Sequence, residues 1–235
     1  MIENKVAILQ SNYIPWKGVF DMINMVDTFV FFEDVDYTKR DWRSRNKIKT
    51  PNGAIWLSVP VAKSPRGTKI SDIQISQSED WQLKHYKSIE LNYKKAPFYD
   101  KYKYIIEDFY LGNKWINLSE MNIYFTKTIC EILNIQTKFI NSKDISVSGA
   151  KDIRLIEICK ELKATEYLSG PSAKDYIDPL NFENNNIQLS YIKYEYPEYI
   201  QMHGQFNHYI SVLDVLFNCG DSSREYILMG GKESI

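Results

Sequence analysis

Between Lys5 and Phe32 the chain writes a strand, a helix and a second strand with almost nothing to spare, and few folds accommodate that order. Lys5 to Gln10 and Thr28 to Phe32 are nearly continuous apolar runs rich in β-branched and aromatic residues, the composition of strands buried on both faces of a parallel sheet. Between them Val19, Phe20, Ile23 and Val26 recur at helical spacing, so Gly18 to Val26 is expected to be the crossover helix of a βαβ unit. Open sheets of this kind take ligands beyond the carboxyl ends of their strands. Here those ends are Ser11 to Lys17 and Glu33 to Thr38, both rich in polar and aromatic side chains.

The remaining chain alternates further strands and helices with no repeat period, which gives an α/β class: a Rossmann-like opening in a mixed sheet, a helical middle, and a C-terminal helix packed back on the site. Strands are expected at 54–61 and 70–75, joined as a hairpin through a Pro/Gly/Lys-rich turn, and later at 166–169 and 187–194. Helices are expected at 79–96, 98–110, 117–133, 151–162 and 207–219, with Asn117 and Glu120 spaced as a capping pair. At 235 residues with 44% hydrophobic content, one domain spanning 1–235 can bury its own core, with room for a helical lobe at about 79–134.

Charge is concentrated rather than spread. The net charge is -1, yet Lys39 to Lys49 holds six basic residues and one acid, Asp41. A net charge so close to zero argues against a general nucleic-acid binder. A local basic run either faces solvent or forms a wall for an anion. Arginine forks grip phosphate in two bonds, and Tyr37 and Trp42 could stack on a base or sugar. If the run is a strand, Arg43, Arg45 and Lys47 share one face.

The first loop, Gln10 to Gly18, leaves a strand and opens a helix, where free backbone N–H groups and the macrodipole favour an anion. It carries neither a Walker A motif nor Gly-x-Gly-x-x-Gly, and a turn shaped by Pro15 and Gly18 over a packed Trp16 explains it equally well. On the last helix Ser211, Asp214 and Asn218 form a polar stripe at i, i+3 and i+7 in an apolar surrounding, so they either build a structural network or line an interior site, with Gln201, His203 and His208 upstream. His85, His203 and His208 show no metal-ligand spacing, and no metal site is expected. His85 reads as a packed residue or a general base. Cys130, Cys159 and Cys219 are odd in number and widely spaced, which fits reduced packing residues. The apolar runs fall far short of the roughly 18 residues of a membrane span, and Met1 to Lys5 carries no signal-peptide pattern, so a cytoplasmic protein is expected.

Several separated motifs carry a family resemblance: Gln10-Ser11-Asn12-Tyr13-Ile14-Pro15-Trp16-Lys17-Gly18, Glu33-Asp34-Val35, Lys39, Arg45-Asn46-Lys47-Ile48-Lys49, Trp56-Leu57-Ser58-Val59-Pro60-Val61, Tyr93-Lys94-Lys95-Ala96-Pro97, Tyr167-Leu168-Ser169-Gly170 and Ser211 to Gly220. In order and over nearly the whole chain, they resemble the WbqC-like family. The resemblance implies a bacterial protein of O-antigen or other surface-polysaccharide biosynthesis, acting as an acyl or aminoacyl (glycyl) transferase on an amino sugar. One departure stands out: the family's opening commonly reads His-Gln-Pro where this chain has Leu9-Gln10-Ser11.

The expected ligand is therefore a nucleotide-linked sugar or another phosphorylated small molecule, with an acyl or aminoacyl donor carried on tRNA or another carrier. No cofactor is indicated. Gln10, Asn12, Tyr13, Trp16, Gly18, Asp34, Tyr37, Lys39, Arg43, Arg45, Asn46, Lys47, Ser169, Gly170, Gln201, Ser211 and Asn218 are the expected binding residues, with Asp214 or His85 taking the proton of the attacking amine. A non-catalytic nucleotide- or RNA-binding protein, or a scaffold among polysaccharide enzymes, is the alternative.

Overall fold

A computed structural model describes residues 3–234. Its centre is a six-stranded sheet in the order β5-β2-β1-β6-β7-β8, where β1 is Lys5–Leu9, β2 Thr28–Phe31, β5 Lys138–Asn141, β6 Glu166–Ser169, β7 Gln188–Ile192 and β8 Lys232–Ser234. Five strands run parallel, with Val6 facing both Thr28 and Tyr167, and β8 closes the edge antiparallel to β7. Counting only the strands of this sheet along the chain, the order is 3-2-1-4-5-6, that of a doubly wound fold. The expected βαβ opening is present, its helix α1 spanning Lys17–Asn24.

Two hydrophobic clusters cover the two faces, because successive residues of each strand point to opposite sides. Ala7, Phe29 and Phe31 pack with α1, with α2 (Trp81–Tyr93), α3 (Tyr99–Glu107) and α4 (Leu118–Ile132), and with α7 (Leu213–Cys219) and α8 (Ser223–Ile227). Val6, Ile8 and Val30 pack instead with α5 (Lys151–Glu161) and α6 (Pro179–Glu183). The crossovers thus change side between β5 and β6.

The hairpin lies elsewhere than the sequence suggested. Its strands are β3 (Arg45–Thr50) and β4 (Gly53–Ser58), joined through Pro51-Asn52, where Gly53 takes a positive φ of 99° that L-residues avoid. Of the expected pairing between 54–61 and 70–75, one bridge, Val61 to Ile75, remains. Residues 70–72 form a 3-10 turn because their N–H groups bond outward, Ile70 to the Val35 carbonyl and Ser71 to that of Glu33. The expected helix at 207–219 is shortened to α7 for a similar reason. The Ser211 N–H donates to the Lys47 carbonyl and the Val212 N–H to that of Pro15, which ties this stretch to the hairpin and the first loop. Asn117 does cap α4, accepting from the Glu120 N–H at 3.0 Å.

Gly18 fixes how the first loop enters α1. A Cβ there would lie 2.3 Å from the Trp16 ring, and that ring is held between Tyr194 and Tyr209 at centroid distances of 4.7 and 6.1 Å. Overpacking of this kind costs about 1–3 kcal/mol. Gly18→Ala is therefore expected to lower the unfolding free energy by that amount and with it the urea midpoint, despite alanine's better helix propensity; an unchanged or higher midpoint would show that the ring can yield.

Candidate functional site

A cleft of about 1340 Å³ opens where the strand order reverses, beyond the carboxyl ends of β1 and β6. Five segments line it. The loop after β1 contributes Gln10, Asn12 and Trp16, the segment after β2 contributes Asp34 and Asp36, and the approach to β3 contributes Trp42, Arg43 and Asn46. The fourth wall is the start of α5, with Gly149, Lys151 and Arg154, and the fifth is the turn after β6, with Ser169, Gly170 and Tyr176. Tyr194 and Tyr209 add an aromatic side next to Trp16.

Arg43 is the best-fixed cation of the cleft. One terminal nitrogen donates to Asn12 Oδ1 at 3.1 Å and the other to Gln10 Oε1, while Asp41 lies 3.6 Å away. Two neutral amide oxygens orient the guanidinium, and the Asp41 carboxylate offsets part of its charge. Behind it, Asn122 Nδ2 donates to the Arg43 carbonyl at 2.8 Å. Glu33, fully buried, accepts from the Ser11 N–H at 2.7 Å and the Ser11 hydroxyl at 3.0 Å. Burial pushes its carboxyl up, and hydrogen bonds from Ser119 and Ser11 together with the Arg43 charge oppose that shift.

The opposite wall carries charges of both signs. Arg154 pairs with Asp34, which accepts in addition from the Ser142 hydroxyl. Lys151 stands at the first position of α5, whose N-cap, Ala150, supplies no side-chain acceptor, while the Ile153 N–H donates to Asp152 Oδ1 at 3.1 Å within the first turn. Among the described residues no three His, Cys, Asp or Glu side chains converge as a metal site would require. No helix among them is long and apolar enough to cross a membrane.

Of the residues singled out from the sequence, Gln10, Asn12, Trp16, Asp34, Arg43, Asn46, Ser169 and Gly170 meet in this cleft. The rest stand outside it. Arg45 and Lys47 do not continue the face of Arg43, because Arg43 precedes β3; they lie instead over the Trp56 ring at 4.3 and 4.7 Å. Tyr37 donates to Ser44 Oγ at 2.9 Å, Lys39 is exposed, and Gly18 sits beneath Trp16.

Tyr13 and His85 are buried together, with the Tyr13 hydroxyl 2.7 Å from His85 Nδ1 and also bonded to Tyr110. Asp214 is fully buried and accepts from the hydroxyls of Tyr93 and Tyr199 at 2.8 and 2.7 Å and from Gln201 Nε2 at 2.7 Å. Burial raises its carboxyl, against those bonds and the charge of Lys49. Asn218 donates to the Asp214 carbonyl at 2.8 Å, and Ser211 is bridged to Trp16. The polar stripe of the last helix thus forms an interior network behind the first loop, and neither expected proton acceptor lines the cleft.

Sequence reasoning missed Asp36, Lys69, Lys151, Arg154, Tyr176, Tyr194 and Tyr209, all of which line it. A legible signal existed for two of them: Gly149 followed by Lys151 and Arg154 places cations in the first turn of an amphipathic helix.

Comparison with known proteins bears on the whole chain. A model of the WbqC-like protein family matches residues 10–226. An uncharacterized protein of Mycobacterium tuberculosis, Rv1507c, is 40% identical over 224 residues, covering 95% of this chain and 97% of its own. No solved structure matches.

Burial pushes the His85 imidazole down to about 4 from an ordinary 6.5. A depressed base is held neutral by the fold, so its contribution is complete above pH 6.5 and is lost as pH falls from 6.5 to 4, amounting to about 3 kcal/mol. Urea titrations at pH 7 and pH 4.5 should show this loss in the wild type and a smaller one in His85→Gln; equal losses would mean that the ring is protonated without cost.

Proposed function

The chain belongs to the WbqC-like protein family, and on that premise we propose that it is a transferase acting on a nucleotide-linked amino sugar, adding an acyl or aminoacyl group, with glycyl the expected case, in bacterial surface-polysaccharide biosynthesis. One observation carries the reading: a cleft at the topological switch point sets Arg43, pre-oriented by Gln10 and Asn12, opposite Lys151 at the start of α5, with an aromatic side between. A diphosphate matches Arg43 and Lys151 on facing walls, and the Trp16, Tyr194 and Tyr209 rings match a base or sugar face. The ribose and sugar hydroxyls fall to the side-chain nitrogens of Gln10 and Asn12, whose oxygens hold Arg43, and to the Ser169 hydroxyl.

In the transfer the amine nitrogen attacks the donor's acyl carbon; a C–N bond forms, and the bond from that carbon to the thiol or ester oxygen breaks. The amine must be neutral to attack and loses a proton on the way. Asp214 and His85 are walled off from the cleft, so the task passes to Asp36, a cleft carboxylate outside any ion pair among the described residues, which hands the proton to the leaving group. Arg43 and the free N–H groups of α5 lie where charge on an oxyanion or phosphate would be stabilised.

A second reading, a non-catalytic nucleotide-binding protein or a scaffold among polysaccharide enzymes, is favoured by Leu9. It lines the cleft at the position where the family commonly has histidine.

Calorimetric titration of a panel of uridine- and thymidine-diphosphate-linked amino sugars tests the proposal. At least one should bind, Arg43→Ala should weaken it tenfold or more, about 1.4 kcal/mol or above, and Asp36→Asn should bind the sugar normally yet lose transfer. Absence of binding across the panel would overturn the reading. Binding with no transfer from any thioester or aminoacyl ester donor would leave the non-catalytic one.

A further inference from the structure

Next to the cleft the hairpin carries a row of rings and cations that lies outside its lining. Trp42 stands at its rim, and the Trp42 ring is 5.4 Å from that of Trp56 on β4. Trp56 in turn carries Arg45 at 4.3 Å and Lys47 at 4.7 Å. Both tryptophans are more than two-fifths exposed, at 44% and 41%, so this ladder lies on the surface. None of the ion pairs among the described residues engages Arg45, Lys47, Lys39 or Arg40. The one acid of the segment, Asp41, is taken up by the Thr38 hydroxyl, the Trp42 N–H and Arg43. Buried or paired cations explain themselves; cations held in place on aromatic rings and left unneutralised await an anion.

We propose that this hairpin face is a docking track for single-stranded RNA that leads to the mouth of the cleft, with its phosphates on Arg45 and Lys47 and its bases stacked against Trp42 and Trp56. Charge complementarity selects a polyanion, since the track is basic on a chain of net charge -1. The interleaving of aromatic rings with cations selects one that also carries planar groups, which is how single strands are held. Asp36, on the same rim, can accept from a 2′-hydroxyl, a donor that DNA lacks. The inference rests on reading the cleft as a nucleotide site.

Fluorescence anisotropy with a labelled single-stranded RNA octamer, titrated at several salt concentrations, tests it. The wild type should bind the octamer more tightly than DNA of the same sequence or duplex RNA. Arg45→Ala/Lys47→Ala should weaken binding at least tenfold and lower the slope of log K against log salt by about 1.4, the share of two phosphate contacts. Trp56→Ala should weaken it severalfold, and Arg45→Lys/Lys47→Arg should retain most of it, which separates charge loss from misfolding. No binding at low salt, an unaltered affinity in the double variant, or capture by anionic phospholipid vesicles that RNA does not displace would overturn the proposal. Titrating the same variants with nucleotide-linked amino sugars separates the two failures: retained sugar binding without RNA binding removes the track alone, and loss of both in the wild type removes the cleft reading with it.

Discussion

A parallel sheet whose crossovers change side must leave a gap where they do so, and the rest of this molecule is arranged around that gap. Between β5 and β6 the chain passes from one face of the sheet to the other, so no helix covers the carboxyl ends of β1 and β6. The uncovered ends carry backbone groups and side chains that must be satisfied by something other than helix packing. The protein answers with long polar connections: Gln10 to Trp16 on one side of the gap, Gly149 to Arg154 and Ser169 to Tyr176 on the other. Arg43 crosses to the first of these and is held there by Gln10 and Asn12, which joins the hairpin to the sheet at the mouth of the cleft.

Behind this arrangement lies a second polar cluster with a different task. Asp214 is enclosed by Tyr93, Tyr199 and Gln201, and Lys49 bonds Gln201 Oε1 at 2.6 Å. Removing one partner from such a network leaves an uncompensated buried charge, so these residues are tightly constrained by the fold itself. Lys17 shows the same tension. Its ammonium has no hydrogen-bond partner and lies over the rings of Tyr196, Tyr199 and Phe206 at 4.6, 5.3 and 5.7 Å; burial pushes it down to about 8. Together these contacts hold the irregular stretch 193–211, whose ends place Tyr194 and Tyr209 beside the cleft.

Much of the fold was legible because local pattern and global need agree at the start of the chain. The apolar runs at β1 and β2 are continuous since both faces of the sheet are covered, and the helix between them is the one that covers one face. Placement failed where long-range backbone bonds decide. Residues 70–75 have the composition of a strand, yet their N–H groups bond to carbonyls at 33, 35 and 116, partners that no window of sequence reveals. Residues 207–212 have helical residues but bond to Lys47 and Pro15 instead. At the site, the first loop and Arg43 were readable from residue type and position after a strand. The splitting of Arg43 from Arg45 and Lys47 was not, since it follows from β3 beginning one residue after Ser44. At Asp214 a polar stripe within apolar surroundings marks burial and satisfaction, whether or not a ligand is present.

In the proposed function the gap at the strand reversal holds the phosphates of a nucleotide-linked sugar between the loop after β1 and the start of α5. Amide hydrogen exchange with and without saturating uridine-diphosphate-linked amino sugar measures this directly, because backbone N–H groups on both walls are the proposed contacts. Slowed exchange at residues 10–16 together with residues 149–154 and 169–173, and none around Asp214, is the predicted result. Protection confined to the Asp214 surroundings or the outer helices, or none with a ligand shown to bind, would contradict it.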